Sequence, residues 1–110
     1  MLYYLEGVIM TVETILNDKQ LTAVVDGRID TLTAPDLEKK LLAAIEGVDS
    51  LLVDFSGVPY ISSAGFRSLL AVKKAMIANN NDNMKLINVS DAIIDIFEET
   101  GFIDIFDIEK

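Results

Sequence analysis

The chain contains no cysteine and no histidine among its 110 residues. Without cysteine it can form neither a disulfide framework nor a thiolate nucleophile, which suits a reducing compartment. Without histidine, the usual zinc sites, catalytic triads and imidazole proton transfer are excluded. The sequence also has no glycine-rich phosphate loop, no catalytic carboxylate pair and no metal-ligand cluster. We therefore expect a binding protein without cofactor or metal rather than an enzyme.

Positive charge and long apolar runs are scarce as well. Nine basic residues stand against 18 acidic ones, which gives a formal net charge of −9 and disfavours direct nucleic-acid binding. No stretch approaches the roughly 20 apolar residues that cross a bilayer. The first nine residues have no basic start and no small-residue cleavage site, so they do not resemble a signal peptide. We expect a soluble, cytoplasmic protein with no membrane insertion.

The 51% hydrophobic content is sufficient for one folded core, and the length of 110 residues is too short for two domains. Residues 11–110 are predicted to form this domain. Residues 1–10 are predicted to be an N-terminal extension that packs on the sheet or on another copy. The alternative is a start at Met10, because Glu6-Gly7 has purine-rich codons where a bacterial ribosome-binding site could lie.

Alternating apolar and polar residues predict strands, and apolar residues at helical spacing predict helices between them. The predicted strands are 11–16, 21–25, 51–55 and 84–89, with a last strand or tail at 103–108, and the predicted helices are 34–47, 64–78 and 91–100. The order indicates an α/β fold with a mixed sheet, in which 51–55 and 84–89 run parallel through a crossover helix. Thr33 is predicted to cap the first helix with Asp36 as its capping-box partner, and Gly101 to end the third.

Ser62 and Ser63 stand at the predicted start of the second helix, beyond a buried strand and the turn Ser56-Gly57. One of them is predicted to be the N-cap. The first N–H groups of a helix are unpaired and favour anions, so a phosphoserine would be tolerated there. Plain capping is the structural alternative.

The segment Asp-Phe-Ser-Gly-Val-Pro-Tyr-Ile-Ser-Ser-Ala-Gly at 54–65 resembles the signature of the STAS domain family, which sulphate transporters and bacterial anti-sigma factor antagonists share. Gly27-Arg28-Ile29-Asp30, followed by Thr33-Ala34, resembles the family's first turn and helix start, and residues 96–106 resemble its closing helix and strand. The resemblance covers residues 11–108. It implies a STAS-like mixed sheet of four to five strands with helices mainly on one face.

The resemblance also implies a function. In the antagonist branch the phosphorylated hydroxyl lies two positions before the glycine, which here is Ser63, and Ser62 in place of the usual Asp remains a second candidate. The implied protein is an anti-sigma factor antagonist that binds an anti-sigma serine kinase until Ser63 is phosphorylated. A phosphatase of the PP2C type would reset it. The alternative is an accessory subunit of a membrane transporter complex that acts by docking.

Asp30 and Arg67 complete the predicted partner-binding set with Ser62 and Ser63. Asp30 is predicted either to orient the acceptor or contact the kinase, or to form an Asx-type turn before the Thr33 helix. Arg67, one helical turn after Ser63, is predicted either to face a phosphate on Ser63 or to be a solvated surface residue.

Overall fold

The structure, a computed structural model, describes residues 10–110, so the predicted extension at residues 1–10 lies outside the described part apart from Met10. Its elements in chain order are β1 (Thr11–Asn17), β2 (Gln20–Asp26), α1 (Ala34–Ala44), β3 (Ser50–Gly57), α2 (Ser63–Ala78), β4 (Met84–Ile87), α3 (Asp91–Thr100), a short 3-10 turn (Phe102–Asp104) and β5 (Asp107–Ile108). No helix within this range is long and apolar enough to span a bilayer.

The five strands form one mixed sheet in the order β1-β2-β3-β4-β5. β1 and β2 form an antiparallel hairpin whose turn contains Asp18 at φ 56°, a conformation that Asp and Asn tolerate better than most residues. β2 with β3, β3 with β4 and β4 with β5 are parallel pairs. The predicted mixed sheet and its parallel crossover are therefore confirmed.

Only one face of the sheet is fully buried. In β2 and β3, alternate apolar residues are buried and the residues between them are half-buried, as the two-residue period of a strand requires. The fully buried strand residues join apolar side chains of all three helices in one core, which includes Leu37, Leu41, Leu69 and Phe97. The prediction that the helices pack mainly on one face is confirmed.

Four phenylalanines fasten the C-terminal part of the chain to α2. The Phe66 ring lies 4.6 Å from that of Phe97 in an edge-on arrangement and 4.7 Å from that of Phe102 in a stacked one. Phe106 continues the cluster next to Phe97. Because the 3-10 turn and Phe106 belong to this cluster, the predicted last strand at 103–108 is shortened to the two residues of β5.

Gly65 allows α2 to begin directly over two loop residues. A Cβ atom at this position would lie 2.6 Å from Cγ2 of Ile29 and 2.7 Å from Cγ1 of Ile61, closer than carbon atoms can approach without strain. Both isoleucines are fully buried and have little room to move. The first turn of α2 therefore packs directly against these two loop residues.

We predict that Gly65→Ala lowers the free energy of unfolding by about 1–3 kcal/mol, the usual cost of overpacking, although alanine is the better helix former by about 1 kcal/mol. The matched control is Ser63→Ala in the same helical turn, whose side chain is exposed and whose effect should stay within about 0.5 kcal/mol. Urea denaturation measures both. Equal stability of Gly65→Ala and the wild type would mean that the contact is loose.

Candidate functional site

Two loops meet beyond the carboxyl ends of β2 and β3. A parallel bridge between Ile29 and Ile61 joins them. The N–H of Ile29 donates to the carbonyl of Tyr60 at 2.9 Å, and the carbonyl of Ile29 accepts from the N–H of Ser62 at 2.8 Å. The loop that carries Asp30 is thus fixed beside the start of α2, where functional groups gather in open α/β sheets.

The two serines at this point have different positions. Ser62 is the N-cap of α2, and its hydroxyl accepts a hydrogen bond from the N–H of Gly65 at 3.3 Å. Ser63 is the first residue of the helix and is exposed. Within residues 10–110 its hydroxyl has no hydrogen-bond partner, because Ser62 provides the cap. Ser63 therefore presents a free hydroxyl beside the positive end of a helix of 16 residues.

Asp30 organises its own turn. One oxygen of its carboxylate accepts from the N–H of Leu32 at 3.0 Å and from the N–H of Thr33 at 3.1 Å, which is the Asx-type arrangement. Neither serine is hydrogen-bonded to Asp30 in the described part of the chain. The Asp30 carboxylate therefore shapes the loop beside Ser63 rather than holding the Ser63 hydroxyl.

The predicted capping box of Thr33 and Asp36 is wrong. Thr33 is the N-cap residue of α1, but its side chain caps no helical N–H. Its hydroxyl donates to the carbonyl of Arg28 at 2.7 Å and accepts from the N–H of Asp30 at 2.9 Å. Asp36 instead pairs with Lys40 one turn along the helix, at 2.9 Å. The hydroxyl turns back because the loop before it offers both a donor and an acceptor.

Partial burial by itself raises the pKa of Asp30, but hydrogen bonds from the backbone N–H groups of Thr33 and Leu32 outweigh it. The pKa of this carboxyl group consequently lies below its ordinary value of 3.8. A lowered pKa in the folded state stabilises the protein above the ordinary value, and that contribution is lost as the pH falls through the folded-state pKa. The Asp30 turn is therefore fully charged and formed at neutral pH.

Arg28 adds a positive charge at the same surface. Its guanidinium carbon lies 4.4 Å from the centre of the Tyr60 ring, and its Nε lies 3.7 Å from the second carboxylate oxygen of Asp30. A cation over an aromatic face is favourable, by about 0.5–1 kcal/mol at exposed sites. Arg28 is therefore held against the loop instead of extending into solvent.

An open groove of about 610 Å³ runs between α1 and α2 from the Asp30 turn. Arg67 is exposed on its α2 side, so the structure places it in this groove without showing a charged partner among residues 10–110. The other side chains that line the groove include Pro35, Glu38, Lys39, Leu42 and Ala64.

Leu32 was not predicted as a site residue. It is 72% exposed at the tip of the turn, and its N–H is held by Asp30. Its neighbour Thr31 lines the groove. The signal in the sequence is one apolar residue between two threonines in a polar turn, Thr31-Leu32-Thr33. Its backbone is thus fixed by Asp30, while its side chain is open to solvent.

The surroundings of the Ser63 hydroxyl can be described from the side chains of residues 10–110. The Ser63 hydroxyl has no neighbouring base to activate it in the described residues, since Asp30 is engaged with its own loop. Residues 10–110 contain no group of three or more side chains that could hold a metal ion.

Comparisons with known proteins agree on one family. The model of the STAS domain matches residues 11–110. An anti-sigma-B factor antagonist of Staphylococcus epidermidis is 31% identical over 103 residues, covering 92% of this chain and 94% of its own. An anti-sigma factor antagonist from Mycobacterium paratuberculosis has the same fold, with a TM-score of 0.81 at 24% identity over 92% of this chain and 86% of its own. The phosphorylated form of the Bacillus cell fate determinant SpoIIAA also has this fold, with a TM-score of 0.68 at 16% identity over 93% of this chain and 91% of its own.

We predict that Asp30→Ala lowers the free energy of unfolding by roughly 1–2 kcal/mol, because the N–H groups of Leu32 and Thr33 lose their charged acceptor. Asp36→Ala, which removes an exposed pair on the same helix, should cost only about 0.5 kcal/mol. Denaturation of both variants at neutral pH tests the revised capping arrangement. A larger loss of unfolding free energy for Asp36→Ala than for Asp30→Ala would instead support the capping box of Thr33 and Asp36.

Proposed function

The chain belongs to the STAS domain family, and we propose that within it this protein acts as an anti-sigma factor antagonist. In its unmodified form it binds an anti-sigma serine kinase through the surface around Ser63. Phosphorylation of Ser63 by that kinase releases it, and a phosphatase of the PP2C type removes the phosphate. The chain itself is not an enzyme, because the chemistry is performed by its partners.

The observation that carries the proposal is the exposed Ser63 hydroxyl at the first position of α2, next to a serine that already provides the cap. A serine needed only for capping would not be required twice. The kinship with curated anti-sigma-B factor antagonists along nearly the whole chain supports the same role. Ser62 is the second candidate acceptor, but its hydroxyl is engaged with the N–H of Gly65 and its side chain is less exposed than that of Ser63.

A phosphate on Ser63 would change the surface more than the fold. It adds about 1.5 to 2 negative charges and three acceptor oxygens, and the N-terminus of a helix stabilises nearby negative charge by roughly 0.3–1 kcal/mol. A partner seated against the same helix end would meet this charge and its hydration. A loss of about 2.7 kcal/mol of binding free energy reduces the affinity about a hundredfold.

The docking surface combines an apolar anchor with a shallow groove. Leu32 projects from the Asp30 turn and Leu42, which is 38% exposed, lies farther along the groove. Arg67 and Lys39 supply positive charge in the same groove, although the chain as a whole is strongly acidic. Apolar side chains surrounded by polar ones are typical of the central contacts of protein interfaces.

We predict that incubation with ATP and the cognate anti-sigma serine kinase adds one phosphate to Ser63, as measured by intact-mass and fragment spectra. Ser63→Ala should accept no phosphate at this position and keep its affinity for the kinase. Ser63→Asp should lose binding to the kinase and keep its melting temperature.

Ser62→Ala is the matched control, since it removes the cap of α2 at a cost of about 1 kcal/mol but keeps the acceptor Ser63. Phosphate chiefly on Ser62 would contradict the residue assignment. The absence of any phosphate would favour the transporter-docking alternative.

We predict that Leu32→Ala weakens binding of the unmodified protein to the kinase about tenfold, because burial of a leucine side chain contributes roughly 1.5–3 kcal/mol and 1.4 kcal/mol is a factor of ten in affinity. Ile77→Ala removes a comparably exposed apolar side chain, 47% exposed, at the far end of α2 and should bind normally. Titration calorimetry measures both affinities. Equal effects of the two variants would show that the contact lies elsewhere.

A further inference from the structure

β1 is a long edge strand that is paired on one side. All seven of its residues are aligned with β2 in one unbroken antiparallel register, from Thr11 opposite Asp26 to Asn17 opposite Gln20. Within residues 10–110, no other strand pairs with β1. Alternate N–H and C=O groups along the strand therefore point away from the sheet, and such an edge is a template for pairing with another chain.

The two edges of the sheet differ in their protection. β5 has only two residues, and Asp107, Glu109 and Lys110 place charges on and next to it. β1 has no proline, glycine or basic residue, and Glu13 is its single charge. Ile15 and Leu16, on opposite faces of the strand, are 58% and 61% exposed. Short edges and edge charges prevent strand pairing, so the structure blocks it at β5 and permits it at β1.

The sequence of β1 is complementary to itself. In an antiparallel pair centred on Thr14, Val12 of one copy faces Leu16 of the other, and the two Thr14 residues face each other. Apolar pairs and threonine pairs are both favourable across strands. Glu13 faces Ile15, which its methylene groups can cover. The two Glu13 residues are then diagonal neighbours about 7–8 Å apart, close to one Debye length at physiological salt, so that their repulsion is reduced.

Shifted registers are worse. Centring the pair on Glu13 would place two carboxylates directly opposite each other, which is unfavourable. Centring it on Ile15 would leave Thr11 and Val12 without partners. The register centred on Thr14 is the one that uses all seven residues and opposes no like charges.

We propose that β1 pairs antiparallel with β1 of a second copy of this chain about a twofold axis at Thr14. The two sheets join into one sheet of ten strands, with the helices of both copies on the same side. The pairing uses the edge strand and leaves Ser63, at the carboxyl ends of β2 and β3, outside the interface. This inference does not depend on the proposed function.

The proposal is tested by substituting Thr14, the residue on the twofold axis, with a charged residue. Sedimentation equilibrium of the full chain from micromolar to millimolar concentration measures dimerisation. The wild type should dimerise. Thr14→Lys and Thr14→Glu should each raise the dimer dissociation constant at least about tenfold, because like charges face each other at the axis, and an equimolar mixture of the two should dimerise again. Thr31→Lys, the same change at an exposed loop threonine, should dimerise like the wild type.

Cysteine cross-linking identifies the register, because the chain has no cysteine of its own. In Thr14→Cys the two thiols would face each other across strands about 4.5–5.5 Å apart at Cα, within disulfide range. Mild oxidation should yield a covalent dimer, and Thr31→Cys should stay largely uncrosslinked. A wild type that remains monomeric at every concentration would overturn the proposal. So would a dimer that is unaffected by the Thr14 variants.

Discussion

The parallel pairing of β2 with β3 is the interaction on which the candidate site depends. Since the two strands run in the same direction, the chain leaves both at the same edge of the sheet. The bridge between Ile29 and Ile61 extends that pairing into the loops, and Gly65 lets α2 begin directly above it. Ser63 lies on the surface, but its position is determined by the buried sheet. The contact runs through the packed residues Ile29, Ile61 and Gly65.

Charge is distributed unevenly relative to this site. Seven acidic residues and one lysine lie between Asp91 and Lys110, whereas Arg28 and Arg67 lie on the surface near α2's first turn. The N–H groups of that turn add a partial positive charge. Phosphorylation of Ser63 would therefore place about 1.5 to 2 negative charges near these two arginines. An effect of that kind requires no movement of the backbone.

Much of the architecture follows from local sequence patterns, because caps and periods act over a few residues. Gly101 ends α3 in the left-handed conformation at φ 81°, as the sequence predicts, and Ser90 caps the other end by accepting from the N–H of Ile93. Contacts between residues far apart in the sequence cannot be predicted from local patterns. Ser68 lies in a polar position of α2 by sequence, yet it is buried and donates to the carbonyl of Ala34, a partner 34 residues away. The exposure of Leu32 and the reversed hydroxyl of Thr33 likewise depend on where the two loops meet.

The bridge between the two loops also limits how the chain can change in length. One residue inserted or removed between Asp26 and Ile29, or between Gly57 and Ile61, would shift one loop by a residue and separate Ile29 from Ile61. Surface loops normally accept such changes easily. The hairpin turn is tied to a second loop in a similar way, because the carbonyl of Lys19 accepts from the N–H groups of Asp49 and Ser50 at 2.7 and 3.3 Å. In relatives of this protein, insertions and deletions should therefore be rare in the loops that flank Ser63.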